Sequence, residues 1–164
     1  MFKINDYVIY NSIGVYQIAD IRKDKDISNI ETEYYVLKPV FDNNMTIKTP
    51  VNNKKVFMRK VMTRGQVLSL IASMPEKETV WIDNDRERKE SFLAAVKTGK
   101  SEEWVKLIKT IHLMKQEKFC TGKKLQKSDE DIMKIAEKNL YEEFAIALDI
   151  SPEEVPSYIL SRIS

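Results

Sequence analysis

The side chains with the clearest chemical potential lie between Trp81 and Lys127. An indole at position 81 is followed by Arg86, Arg88 and Lys89. Residues 97–127 then carry nine lysines (97, 100, 106, 109, 115, 118, 123, 124 and 127) against three acids (Glu102, Glu103 and Glu117), a local net charge of +6 in a chain whose total is only +2. Positive charge gathered on helices beside an aromatic ring is the chemistry of duplex recognition. Lysine and arginine release counterions from phosphates, and a flat apolar ring can pry at a base step from the minor groove. Plainer readings account for the same residues: lysine-rich helix surfaces are usually solvated faces, and a lone tryptophan is more often buried core or an interface filler.

No catalytic constellation stands beside this stretch. The sequence has no GxxxxGK[ST] or GxGxxG run and no serine or cysteine in a nucleophile motif. Its one cysteine, Cys120, excludes an internal disulfide, and with the single His112 it leaves almost nothing for a zinc site. His112 reads as a helix-surface or boundary residue and Cys120 as a packing thiol. The acids Asp129, Asp131, Glu142 and Glu143 read as helix-start and surface charge, not as a catalytic pair. Neither a cofactor nor a metal is expected, and the chain is not expected to be an enzyme.

The elements that must hold these residues follow from composition and periodicity. At 164 residues, with 43% hydrophobic and 32% charged side chains, the chain has room for one ordinary domain or two small ones. It shows neither a signal-like N-terminus nor a run of ~20 apolar residues, so a cytoplasmic location without membrane contact is expected. Residues 1–64 and 65–128 each carry +4 and residues 129–164 carry −6, so the acidic tail should face away from any polyanion.

Up to about Met62 the pattern has period two: Tyr7–Tyr10, a turn at Asn11-Ser12, Gly14–Ile21, a charged connection from Lys23 to Asn29, Glu33–Lys38, a turn at Asp42-Asn43-Asn44, Met45–Thr49 and Val56–Arg59. Five short strands at this spacing predict a small antiparallel β-barrel of SH3 or Tudor type. After Thr63 the period becomes helical. Thr63-x-x-Gln66 is a capping box, Asp83 or Asp85 is placed to cap a second helix, and Ser101 a third. Ser128-x-x-Asp131 starts a long acidic helix, with Ile132, Ile135, Ala136, Leu140, Phe144 and Leu148 expected inward, and Ser151-Pro152 opens a last short one. The fold class expected is α+β in two domains, a β-barrel over 1–62 and an all-α bundle over 63–164.

In order along nearly the whole chain, a series of motifs resembles the CarD/CdnL transcription regulators, whose polymerase-interacting domain also occurs in transcription-repair coupling factor. They are Asp6-Tyr7-Val8-Ile9-Tyr10, Gly14, Ile18–Ile21, Glu33–Lys38, Thr46–Pro50 and Val56–Arg59, then Trp81, Arg86–Phe92, Lys97-Thr98-Gly99, Trp104–Lys118, Gly122–Leu125 and Asn139–Phe144. The resemblance implies that the barrel docks on the β subunit of bacterial RNA polymerase through the edge strand Met45, Thr46, Ile47, Lys48 and Thr49. It implies that the helical domain contacts promoter double-stranded DNA at the upstream edge of the melted region, stabilising the open complex. Trp81 would be the minor-groove wedge, and Arg86, Arg88, Lys89, Lys123 and Lys124 the phosphate contacts. A monomer is expected. The spacing from Trp81 to Gly99 is about four residues longer than in better-known members, close to one helical turn. Where the family begins a later basic contact this chain has Glu130, so no DNA contact is assigned to that helix. Two other readings compete: a duplex-binding protein that needs no polymerase, and a protein-interaction adaptor whose lysines only solvate.

Overall fold

A computed structural model describes residues 1–42 and 45–163; the expected turn at Asn43-Asn44 lies outside them. The architecture is α+β. Among the described residues five antiparallel strands are followed by five α-helices, and the chain divides into two compact units, Met1–Val61 and Met62–Ser164.

In the first unit the strands are β1 (Tyr7–Tyr10), β2 (Gly14–Lys25), β3 (Glu31–Pro39), β4 (Ile47–Pro50) and β5 (Met58–Lys60), in the spatial order β4-β3-β2-β1-β5. Among the described residues the sheet is thus an open one with β4 and β5 at its edges, rather than a ladder closed into a barrel. Alternation buries Val8, Tyr16, Ile18, Tyr35 and Leu37 as one cluster, with Phe2, Tyr10, Ile47, Val51 and Met58 packed at its margin. The β1–β2 turn uses positive φ at Asn11 and Ser12, a geometry that suits the twist of the flanking strands.

The charged connection expected from Lys23 to Asn29 is instead half strand. β2 runs on to Lys25, past a bulge between Ile18 and Asp20, and Lys23 lies opposite Glu33 and Lys25 opposite Glu31. Facing opposite charges contribute roughly 0.2–1 kcal/mol per pair, enough to extend a hairpin that buries little. Its tip is closed by Asp26, whose carboxylate accepts the N–H groups of Ser28 and Ile30.

In the second unit the helices are α1 (Arg64–Ser73), α2 (Asp85–Lys97), α3 (Ser101–Cys120), α4 (Lys127–Leu148) and α5 (Val155–Ile163). α4 is central, touching all four others. The Thr63–Gln66 capping box is formed in both directions. Three other starts differ from the sequence reading. Asn84, not Asp83 or Asp85, caps α2, while Lys100 and Gln126 precede α3 and α4 without a side-chain cap. The core joins Val67, Ile71, Phe92, Val96, Trp104, Ile111, Ile132, Ala136, Leu140 and Phe144. Ile135 is 43% exposed, against expectation, and Cys120 is exposed at the last residue of α3.

Ser101 was freed from capping for a different bond: its hydroxyl lies inside the unit and donates to Glu143. Glu143, read from sequence as surface charge, is fully buried, and Glu142 beside it is buried as well. The Glu143 carboxylate also accepts the Met62 N–H at 2.9 Å, tying the start of the helical unit to α4. Glu143→Ala removes the acceptor that both donors share, each at a cost of about 1–3 kcal/mol. The expected loss of stability is therefore about 3 kcal/mol or more in urea unfolding, with Ile135→Ala on the same helix costing well under half of that.

Candidate functional site

The strand expected to dock a partner is an edge strand. Within the described residues β4 pairs only with β3, with Tyr34 opposite Pro50, Tyr35 opposite Thr49, Val36 opposite Lys48 and Leu37 opposite Ile47. It is shorter than expected: Met45 and Thr46 are exposed and precede it, while Thr49 is buried and Ile47 half-buried against the core. The bond from Val51 N–H to Glu33 O at 2.9 Å fixes the parity of the ladder. In antiparallel pairing the inward-bonding residues alternate, so the main chains of Ile47, Thr49 and Val51 face β3 and those of Lys48 and Pro50 face outward. Pro50 has no N–H to lose there, which is why a proline is tolerated. Lys48 therefore offers the edge's outward N–H.

The Lys48 side chain is already engaged. Its ammonium reaches Asp24 Oδ2 at 2.5 Å and lies 4.5 Å from the centre of the Tyr34 ring. Hydrogen bonding and charge from Lys48 hold the Asp24 carboxyl below the usual range. Both partners are about half exposed, so this pair is worth little stability and can exchange for a partner's group at small cost.

In the helical unit, the six side chains expected to meet DNA separate into three groups. Trp81 is half-buried, edge-on to Phe92 with ring centres 6.0 Å apart, and lines a cleft of about 410 Å³ with Met114, Thr121, Lys118 and Lys123. Lys118 Nζ stands 5.6 Å from the ring centre. Arg86, Lys89 and Lys124 are exposed, and among the described residues Arg86 makes only an i,i+4 pair with Glu90. Asp83, Asp85 and Glu117 also line the cleft, which makes its rim balanced in charge. The positive excess lies outside it, on Lys89, Lys97, Lys100, Lys124 and Lys127, all exposed.

Arg88 does not fit the role given to it by sequence. It is 2% exposed, and all five of its N–H donors have partners within the unit. Nε and Nη2 hold both oxygens of Asp129 at 3.0 Å, and Nη2 also reaches Asp85 Oδ1 at 2.9 Å. Nη1 bonds the carbonyls of Ile82 at 3.0 Å and Asp83 at 3.3 Å. Its guanidinium carbon lies 4.4 Å from the Trp81 ring centre. No donor is left for a phosphate. Asp129, expected on the surface, is 1% exposed.

Asp129 and Lys118 are the residues that sequence reasoning missed here. Asp129 lies 41 residues from Arg88, so local spacing carries no trace of the pair. Lys118 was countable as one of nine lysines. The helical spacing of Met114, Lys118 and Thr121 would have placed all three on one face. Lys109, counted with the same nine, is structural: its ammonium bonds the carbonyls of Met74, Pro75 and Lys77.

Removing one partner of a buried pair leaves an uncompensated charge, which costs about 3–5 kcal/mol. Arg88→Ala is therefore expected to lower stability by that amount in chemical denaturation, and Arg86→Ala by about 0.5 kcal/mol or less. The Asp85 carboxyl, held below the usual range first by the Gln126 amide and then by Arg88, adds a pH signature. With a lowered folded pKa, the unfolded chain binds the extra proton. The stabilisation is thus complete above the unfolded value of about 3.9 and fades as pH falls through the lowered one. The stability gap between the native protein and Asp85→Asn should be constant from pH 7 to 5 and shrink below about pH 4.

Among the described residues, no group of three or more His, Cys, Asp or Glu side chains is arranged to hold a metal, and no helix is long and apolar enough to cross a membrane. A search of curated proteins returns no match to the chain. Residues 2–62 match the family model of the CarD-like/TRCF RID domain. Residues 2–62 therefore carry a CarD-like RNA polymerase-interacting domain, and with it polymerase-binding transcription regulation.

Proposed function

We propose that this protein docks on the β subunit of RNA polymerase through the outward edge of β4 and contacts promoter duplex at the upstream edge of the melted region with its helical unit, stabilising the open complex. The observation that carries the reading is the polymerase-interacting domain over residues 2–62, in which β4 is an edge strand with an outward-facing Lys48 N–H. An added strand gains main-chain bonds there, and alternate side chains give selectivity. Trp81 is the proposed wedge. Arg86, Lys89, Lys123 and Lys124 are the proposed phosphate contacts, and Arg88 is removed from that set by its burial. Because a ligand shifts an equilibrium only by its differential affinity, the duplex contact must favour the melted form, and tethering to polymerase raises its effective concentration. The protein acts as a monomer on this reading, with domains over 1–62 and 63–164.

The docking test is Lys48→Pro. Proline removes the outward N–H while sparing the inward bonds of Ile47 and Thr49 to β3. Polymerase should be recovered from lysate with the native chain and lost with this variant at unchanged thermal stability. In the wedge test, Trp81→Ala should shorten open-complex lifetime roughly 5- to 150-fold, as loss of about 1–3 kcal/mol of aromatic contact implies, with polymerase recovery intact. Strongly salt-dependent binding of the native chain to bare duplex, together with recovery unaffected by Lys48→Pro, would favour the polymerase-independent duplex binder. Unchanged lifetime on neutralising Lys89, Lys123 and Lys124 would favour the adaptor.

A further inference from the structure

We propose that the buried Arg88–Asp129 pair is the positioning element of Trp81, holding the indole at the cleft mouth in the orientation that meets its target. The functional half of this proposal rests on the reading of Trp81 as the duplex contact; the positioning half rests on geometry alone.

Trp81 lies in the segment before α2, where no helical or strand ladder fixes it. What fixes the segment is Arg88. Its Nη1 bonds the carbonyls of Ile82 and Asp83, the two residues that follow Trp81, while its guanidinium carbon lies over the indole, 4.4 Å from the ring centre. A guanidinium flexible in its own position could not orient a ring, and the remaining contacts remove that freedom. Asp129 grips Nε and Nη2 in the two-pronged geometry that only arginine can satisfy. Asp129 belongs to the first turn of α4, and Gln126, just before that helix, bonds Asp85 at 2.9 Å. The rigid start of α4 is thus linked through Arg88 to the loop that carries the ring. A fixed ring is lost to fewer rotamers when it binds, so affinity gained by contact is not spent on ordering.

The pair could instead serve only to hold α2 against α4, and the two tryptophans of the chain distinguish these roles. Trp104 is fully buried in the same unit and donates to Val96 O at 3.1 Å, so it reports the helical packing, whereas Trp81 reports the loop. The full chain is labelled with 5-fluorotryptophan, the two fluorine resonances are assigned with Trp81→Phe, and spectra are recorded for Arg88→Lys and Asp129→Asn. Arg88→Lys keeps the charge but loses the two-pronged grip, and Asp129→Asn keeps the shape but loses the charge. The expected result is a Trp81 resonance that moves and broadens, with an enlarged solvent-isotope shift, beside an unmoved Trp104 resonance. An unmoved Trp81 resonance in both variants overturns the proposal. Resonances that move together in both variants also overturn it, because the pair then holds helices and not the ring.

The functional half is read with polymerase and promoter. Arg88→Lys should shorten open-complex lifetime by a factor approaching that of Trp81→Ala, and the double variant should be no worse than Trp81→Ala alone. Losses that multiply would show that Arg88 acts by another route and overturn the functional half. If Trp81→Ala leaves lifetime unchanged, the wedge reading fails while the fluorine spectra still decide the positioning claim.

Discussion

A guanidinium taken out of water is tolerated only if every one of its donors finds a partner, and the helical unit is arranged around that condition at Arg88. Two carboxylates and two main-chain carbonyls supply the acceptors, and they come from the start of α2, the loop before it and the start of α4. Because the desolvation of such a pair offsets most of its attraction, its contribution lies less in net stability than in intolerance of any other arrangement. A small rotation of α4 relative to α2 would open the Asp129 bonds and leave two charges unpaired. The geometry around Trp81 is therefore selected sharply, even though Trp81 itself makes few directional bonds.

The first unit solves the opposite problem. On the proposed docking, its edge strand must stay available to one partner without pairing with every other strand it meets. β4 manages this by being four residues long, by carrying Lys48 on its exposed side and by ending in Pro50. The Lys48–Asp24 pair keeps that charge in place while remaining half exposed. A long apolar edge would bind more strongly and would also aggregate. The protruding β2–β3 hairpin is held by opposed charges for a related reason, since a solvated arm has no core to specify its register.

Much of this was legible in the sequence. Period two located all five strands, Asn11-Ser12 marked its turn, and Thr63-x-x-Gln66 marked the first helix. What escaped were the charged residues inside. Reading polar side chains as outward placed Arg88, Asp129, Glu142 and Glu143 on the surface. The periodicity itself disagreed: Arg88 stands four residues before Phe92 and eight before Val96, on the buried stripe of α2, and Asp129 stands on the stripe that continues through Ile132, Met133 and Ala136. Following the helical period through a charged residue, instead of stopping at it, would have raised both as buried partners. That the two meet each other was beyond local spacing, because the contact spans 41 residues.

Burial of Arg88 also changes how charge acts at the proposed duplex surface. With Arg88 neutralised by Asp129 and Asp85, the lysines lining the cleft are Lys118 and Lys123, and they are offset by Asp83 and Glu117. The cleft as a whole therefore carries little net charge, and the ring sits in a nearly neutral setting with Lys123 exposed at its rim. Exposed lysines farther out carry the net positive charge. Such a division separates two tasks that would otherwise conflict. Counterion release by the outer lysines is indifferent to sequence and to melting, whereas contact with the ring depends on whether a base step can open. On the proposed reading, discrimination between closed and open DNA then falls to the ring alone, and the energy available for it is limited by how firmly the buried pair holds that ring in place.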